Sequence, residues 1–271
     1  MNESGLPLVV EPDELQAALD DESILVADVS QAEFHQQSHI PGAVHVDYAR
    51  IISARPPVMG LLPPAEQLGT LFSSLGLGAT THVVAYDNEG GGRASRLLWT
   101  LEITGHTRYS LLNGGFIAWR DEGRPTETQT RGRTARPYTV RFNAEAIADK
   151  TYILAHLHDP AVSLVDARSP EEYAGLDLRA RRGGHIPGAV NIEWTRALDP
   201  QHGMRLKAGE DLRALYEQAG VTPDRQAIVY CQTHHRSALS YIVLTSLGYS
   251  VRGYPGSWSE WGNDPDTPVE R

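Results

Sequence analysis

Short apolar runs alternate with helical patterns along the chain of 271 residues. In the second half, residues 163–166, 189–192, 227–230 and 251–254 are short, largely apolar runs of the length of buried strands. Residues 210–219 and 237–247 carry helical spacing instead, and Gly220 and Gly248 follow as stop signals. Largely apolar strands between helices predict an α/β fold, a parallel sheet covered by helices on both faces. Such sheets place ligands beyond the carboxyl ends of their strands. The chemistry is therefore expected where a strand runs into its following loop.

The pattern occurs twice. Residues 25–46 read LVADVSQAEFHQQSHIPGAVHV, and residues 164–192 read LVDARSPEEYAGLDLRARRGGHIPGAVNI. HVVAYDNEGGGRAS at 82–95 matches AIVYCQTHHRSA at 227–238, and the stretch from Gly114 to Trp119 matches that from Gly256 to Trp261. The matches keep their order, so the chain is a duplication, and its long period excludes a solenoid. The expected organisation is a first domain at 1–123, a linker at 124–143 and a second domain at 144–271.

Charge sharpens this division. The chain carries −10 overall, from 24 basic and 34 acidic residues, which argues against general nucleic-acid binding. The linker is the exception, with five arginines and one glutamate. Rich in Thr, Pro and Gly, it reads as a surface connection whose arginines face the acidic first half; the sharper alternative is a strip that attracts anions. No apolar run is long enough to span a membrane. The amino-terminal residues lack the basic and apolar regions of a secretory signal, so a cytoplasmic protein is expected. A single cysteine excludes an intrachain disulfide and any multi-cysteine metal site.

That cysteine, Cys231, directly follows the apolar run 227–230. The loop Cys231-Gln-Thr-His-His-Arg236 comes next, then a helical stretch with Ser237 as the expected cap. Strand, short loop and helix start make an anion cradle of unpaired N–H groups, with about half a positive charge from the helix dipole. Arg236 adds a full charge. A thiol placed there should ionise near neutral pH and act as a nucleophile. The plainer alternative, a small core cysteine, explains neither the position after a strand nor the neighbouring arginine.

These residues resemble the tandem-domain rhodaneses, thiosulfate sulfurtransferases. The resemblance rests on Asp166-Ala-Arg168 with Glu171, Glu172 and Tyr173, on Gly184-His-Ile-Pro-Gly-Ala-Val190, on the Cys231–Arg236 loop, and on Gly256 and Trp261. The loop CQTHHRS is similar to that of bacterial two-domain enzymes. The resemblance implies an α/β fold of two rhodanese-like domains, with the first inactive: Asp87 stands in the place of Cys231, and Ser30 in that of Arg168. It implies thiosulfate as donor and cyanide or a thiol such as thioredoxin or glutathione as acceptor; no cofactor is expected, and although Cys231, His234 and His235 could catch a soft metal, ligands this close in a tight loop do not easily converge on one ion, so no metal is expected. Alternatives are 3-mercaptopyruvate as donor, and a persulfide carrier serving a protein acceptor. A phosphatase comes third. Four residues separate Cys231 from Arg236, one fewer than in cysteine phosphatases, and a shorter loop encloses a single sulfur atom more readily than a phosphate.

Around the nucleophile, Gln232, Thr233, His234, His235, Arg236, Ser237 and Trp194 are expected to bind substrate. Arg236 would offer its planar donors to a sulfonate or hold the loop by its carbonyls. The two histidines would add positive charge near pH 7. Asp166 and Arg168 are expected to pair and shape the pocket, and His39 and His185 to be structural turn residues. The second half has eight extra residues within 174–184, including Arg179, Arg181 and Arg182. These form either a solvated surface loop or a rim that steers anions.

Overall fold

The structure, a computed structural model, describes residues 5–130 and 132–271. In chain order the strands are β1 (Val9–Val10), β2 (Ile24–Asp28), β3 (Val44–His45), β4 (Ser53–Arg55), β5 (Val58–Leu61), β6 (His82–Tyr86), β7 (Tyr109–Leu112), β8 (Val162–Asp166), β9 (Val190–Asn191), β10 (Leu198–Asp199), β11 (Arg205–Leu206), β12 (Gln226–Tyr230) and β13 (Val251–Gly253). The helices are α1 (Pro12–Ala18), α2 (Ala32–Gln37), α3 (Ala65–Ser74), α4 (Gly92–Ile103), α5 (Gly115–Asp121), α6 (Lys150–Ala155), α7 (Pro170–Tyr173), α8 (Gly209–Glu217), α9 (Arg236–Ser246) and α10 (Ser257–Trp261).

The chain forms two compact units. The first contains residues 1–52, 63–143 and 199–206; the second contains 53–62, 144–198 and 207–271. Two short segments thus belong to the unit that their sequence position does not suggest, most notably the antiparallel hairpin β4–β5.

In the first unit, a parallel sheet runs in the order β1-β7-β6-β2-β3. In the second, the order is β13-β12-β8-β9, again parallel. A lone parallel bridge from Ile147 to Gly253 holds the place that β1 holds in the first. The strand direction reverses its order of addition between β2 and β6, and between β8 and β12. These are switch points, where ligands of such sheets bind. Every residue of β6, and all of β12 after Gln226, is buried, as strands covered on both faces must be.

The duplication extends to single hydrogen bonds. His39 and His185 each exchange two backbone hydrogen bonds with a glutamate, Glu127 and Glu270. The indoles of Trp119 and Trp261 donate to the carbonyls of Pro125 and Pro268. Gly220 and Gly248 end α8 and α9 with φ of 82° and 86°, as their stop role requires.

Residues 124–143 form no helix or strand among those described, and they count with the first unit. Arg124 pairs with Asp13 and Glu122, while Arg133 donates to the carbonyls of Ile24 and Glu22. Arg131 lies outside the described residues.

Candidate active site

Cys231 follows β12 directly, and its neighbour Tyr230 stands in register with Asp166 at the end of β8. The loop 232–235 leads into α9, whose first residue is Arg236. Ser237 is therefore not the cap, as the sequence suggested, but sits within the first helical turn. His235 takes the flanking position.

The loop's orientation is set by α10. The N–H groups of Trp258 and Ser259 donate to the carbonyls of Cys231 and Gln232, at 2.9 and 3.0 Å. The Cys231 N–H donates to Ser257 Oγ at 3.3 Å. With those carbonyls drawn outward, N–H groups are left to face the sulfur. Those of Thr233 and Ser237 bond it, as does the Ser237 hydroxyl. Ser257 and His234 hold φ of 49° and 54°, left-handed conformations rare for residues with a Cβ. Such strain concentrates at functional sites.

Burial pushes the Cys231 thiol up, but the charge of Arg236, the Ser237 hydroxyl and the two N–H donors outweigh it and hold the group below its ordinary value. Cys231 itself exposes no surface.

The Arg236 side chain keeps 23% of its surface exposed. Its two terminal nitrogens grip the carboxylate of Glu172 at 2.5 and 2.8 Å. Glu172 is nearly fully buried, and Ser169 places it by a reciprocal capping box at the start of α7. Burial pushes the Glu172 carboxyl up; Arg236 overrides this and brings it below the usual range.

The other expected residues scatter around this centre. His234 is fully buried, its Nδ1 2.8 Å from Ser237 Oγ. His235 remains nearer the surface, with its ring 6.5 Å from that of Trp194. Gln232 donates its amide to the Arg179 carbonyl at 2.9 Å, which ties the 174–184 segment to the loop. Thr233 lies under Gly60 of β5, so close that a Cβ there would stand 2.2 Å from the Thr233 carbonyl oxygen. Met59 and Ser259 exchange two hydrogen bonds of 3.0 Å beside it.

Asp166 and Arg168 form a fully buried bidentate pair, with Nε to Oδ1 at 2.9 Å and a terminal nitrogen to Oδ2 at 2.6 Å. The same guanidinium donates to the Gly184 carbonyl and stacks 4.5 Å from the Trp258 ring. Of the three arginines in the segment 174–184, Arg182 is spent on the carbonyls of Trp261, Thr267 and Asp264, and Arg179 pairs with Asp177.

The first unit answers each feature differently. Asp87 fills its own cradle, Oδ1 accepting from Glu89 and Gly91 and Oδ2 from Ala94. Burial and Glu89 push its carboxyl up against those three donors. Asp28 pairs with His35 at 2.8 Å where Asp166 has its arginine.

Sequence reasoning did not single out Ser257, Ser259 or Gly60, nor the role of Glu172. The capping-box spacing from Ser169 to Glu172 was the available signal for the last. Nothing local in the sequence marks residues 59 and 60.

The rhodanese-like domain pattern matches the chain twice, at residues 11–122 and 149–264. A thiosulfate sulfurtransferase of Azotobacter vinelandii is 45% identical over 268 residues, 98% of each chain. Another, of Pseudomonas aeruginosa, is 42% identical with the same coverage. The sulfur carrier protein TtuD of Thermus thermophilus is 36% identical over 97% of this chain and 96% of its own. Among solved structures, YnjE superimposes with a TM-score of 0.88 at 24% identity, covering 97% of this chain and 69% of that one. That likeness concerns the fold.

Proposed function

The chain belongs to the rhodanese family, and from that premise we propose that it is a thiosulfate sulfurtransferase working through a persulfide on Cys231. The observation that carries the reading is the place of Cys231 between the end of β12 and the start of α9, where the N–H groups of Thr233 and Ser237 turn toward its sulfur and Arg236 lies beside it. The thiolate attacks the outer sulfur of thiosulfate; the sulfur–sulfur bond breaks, and sulfite leaves with the electron pair. Cyanide or a thiolate then attacks the outer sulfur of the persulfide. Cyanide leaves as thiocyanate, and the Cys231 thiolate is restored. At each stage the sulfur is an anion or shares its charge, and the N–H groups of Thr233 and Ser237 stabilise it.

Thioredoxin and glutathione are the thiol acceptors in this proposal, and the cytoplasm its location. Among the described residues, no helix is long and apolar enough to cross a membrane. Donor preference between thiosulfate and 3-mercaptopyruvate is decided by kcat/KM for the two. The relative named as a sulfur carrier favours one second reading, delivery of the persulfide to a protein acceptor with slow turnover on cyanide.

The test is the intact mass after incubation with thiosulfate, with and without a thiol reductant. A reductant-sensitive gain of one sulfur atom is expected in the native protein and none in Cys231→Ser, which should also lose thiosulfate:cyanide turnover. Retained turnover in that variant overturns the proposal. So does a native cysteine that reacts with iodoacetamide no faster than the protein unfolds.

A further inference from the structure

Behind Cys231 stands a polar chain that thiolate chemistry alone does not call for. We propose that His234 is a positioning residue for the nucleophile: through Ser237 it aims a hydroxyl proton at the sulfur. The inference rests on the reading of Cys231 as a thiolate, and it adds the residue that keeps the thiolate's neighbour in the donating state.

The geometry is a line of three groups. Ser237 Oγ bonds the Cys231 sulfur on one side and lies 2.8 Å from His234 Nδ1 on the other. All three residues are fully buried. A serine hydroxyl has one proton. A thiolate or persulfide anion has none, so the hydroxyl must donate to it. The Ser237 oxygen is then an acceptor toward His234, and Nδ1 must carry a proton. In the thiol form the chain can run the other way, from S–H to Oγ and from O–H to Nδ1. The direction of the line and the ionisation of the sulfur are thus coupled through one hydroxyl.

The backbone supplies a second, independent observation. His234 adopts φ of 54°, a conformation in which glycine is free and a side chain costs about 1–2 kcal/mol. The first unit places Gly90 and Gly91 in the corresponding turn, both at positive φ. It also has Ala94 where the second has Ser237; the Ala94 N–H still reaches Asp87, but the hydroxyl is gone. The half without a thiol has neither histidine nor serine. The half with one accepts a strained backbone to keep both.

Other charges around the sulfur are fixed in both directions of the line. Arg236 lies nearest, gripped by Glu172; Asp166 and Arg168 pair beyond it, and Arg179 pairs with Asp177. None of them orders the Ser237 hydroxyl.

The experiment is the pH dependence of Cys231 alkylation by iodoacetamide in the full-length protein. The variants are Ser237→Ala, His234→Gly, His234→Asn and the double variant Ser237→Ala/His234→Gly. Glycine removes the ring without backbone strain. Asparagine also tolerates a left-handed backbone and can offer an N–H near the position of Nδ1. Ser237→Ala and His234→Gly should each raise the midpoint by about one pH unit, an approximately tenfold slower reaction below it, as loss of a hydrogen bond to a charged group implies. The double variant should match Ser237→Ala alone, and His234→Asn should return the midpoint toward the native value. Additive single effects overturn the proposal, as does a His234→Gly midpoint equal to the native one. Nitrogen-15 spectra of the native protein decide independently of any variant's folding. A protonated Nδ1 on His234 in the persulfide form is expected, and an unprotonated one overturns the inference. Absence of a persulfide altogether would instead remove the sulfurtransferase reading, while the alkylation comparison would still stand.

Discussion

At the scale of single residues, the site is an exercise in holding charges where water is excluded. Glu172 is the clearest case. Its carboxylate is buried and neutralised by Arg236, which keeps its pKa below the usual range. A depressed carboxylate contributes stability above its unfolded pKa, near about 4.3, and loses it as the pH falls through the lower folded value. Native protein should therefore lose stability between about pH 5 and 3 along a steeper course than Glu172→Gln, measured by denaturant melts across that range. Equal slopes would show that the ion pair contributes nothing. The sequence marked the two partners separately, Arg236 by its loop and Glu172 only among the residues of the family resemblance. It did not pair them, because residues 64 positions apart meet only through the packing of α7 against the start of α9.

At the scale of elements, two segments bear on the Cys231 loop from outside it. The hairpin β4–β5 sets Gly60, at φ of 75°, against the Thr233 carbonyl. Gly60→Ala should cost at least about 1–2 kcal/mol from the left-handed backbone alone and more from the clash. It should lower sulfur transfer by displacing Thr233, whose N–H bonds the sulfur. Thermal melts and turnover measure the two effects; native turnover would show that the hairpin leaves the loop untouched. The 174–184 segment acts differently. The sequence allowed a steering rim or a solvated loop, and the structure gives Arg182 a third task, tying the carbonyls of Trp261, Asp264 and Thr267 together. Arg182→Ala should destabilise the protein by about 1–3 kcal/mol, since three part-buried carbonyls lose a charged donor. The salt dependence of kcat/KM should stay native. A weaker salt dependence with unchanged stability would restore steering as the arginine's role.

For the whole molecule, the duplication is a comparison built into one chain. Both units keep the parallel sheet, the turn histidine, the tryptophan at the end and the cradle. What differs is the occupant. In the first unit Asp87 satisfies three N–H groups with its own carboxylate, so nothing else enters. Asp87→Ala should strand those donors and destabilise the first unit by about 1–3 kcal/mol, with thiosulfate:cyanide turnover in the folded protein unchanged. Chemical denaturation followed alongside activity checks both. A fall in turnover at native stability would give the first unit a part in the chemistry.

The sequence by itself determined the α/β class, the repeat, the position of Cys231 after a strand and the absence of a cysteine from the first half. Each of these is local: an apolar run, a glycine stop, a residue type at a fixed offset from its neighbours. Only the tertiary structure decided that Arg236 grips Glu172, that α10 turns the loop carbonyls outward, that His234 lies behind Ser237, and that residues 53–62 count with the second unit. Hydrogen bonds and close contacts between segments far apart in the chain leave no periodicity, so no reading of neighbours along the chain can supply them.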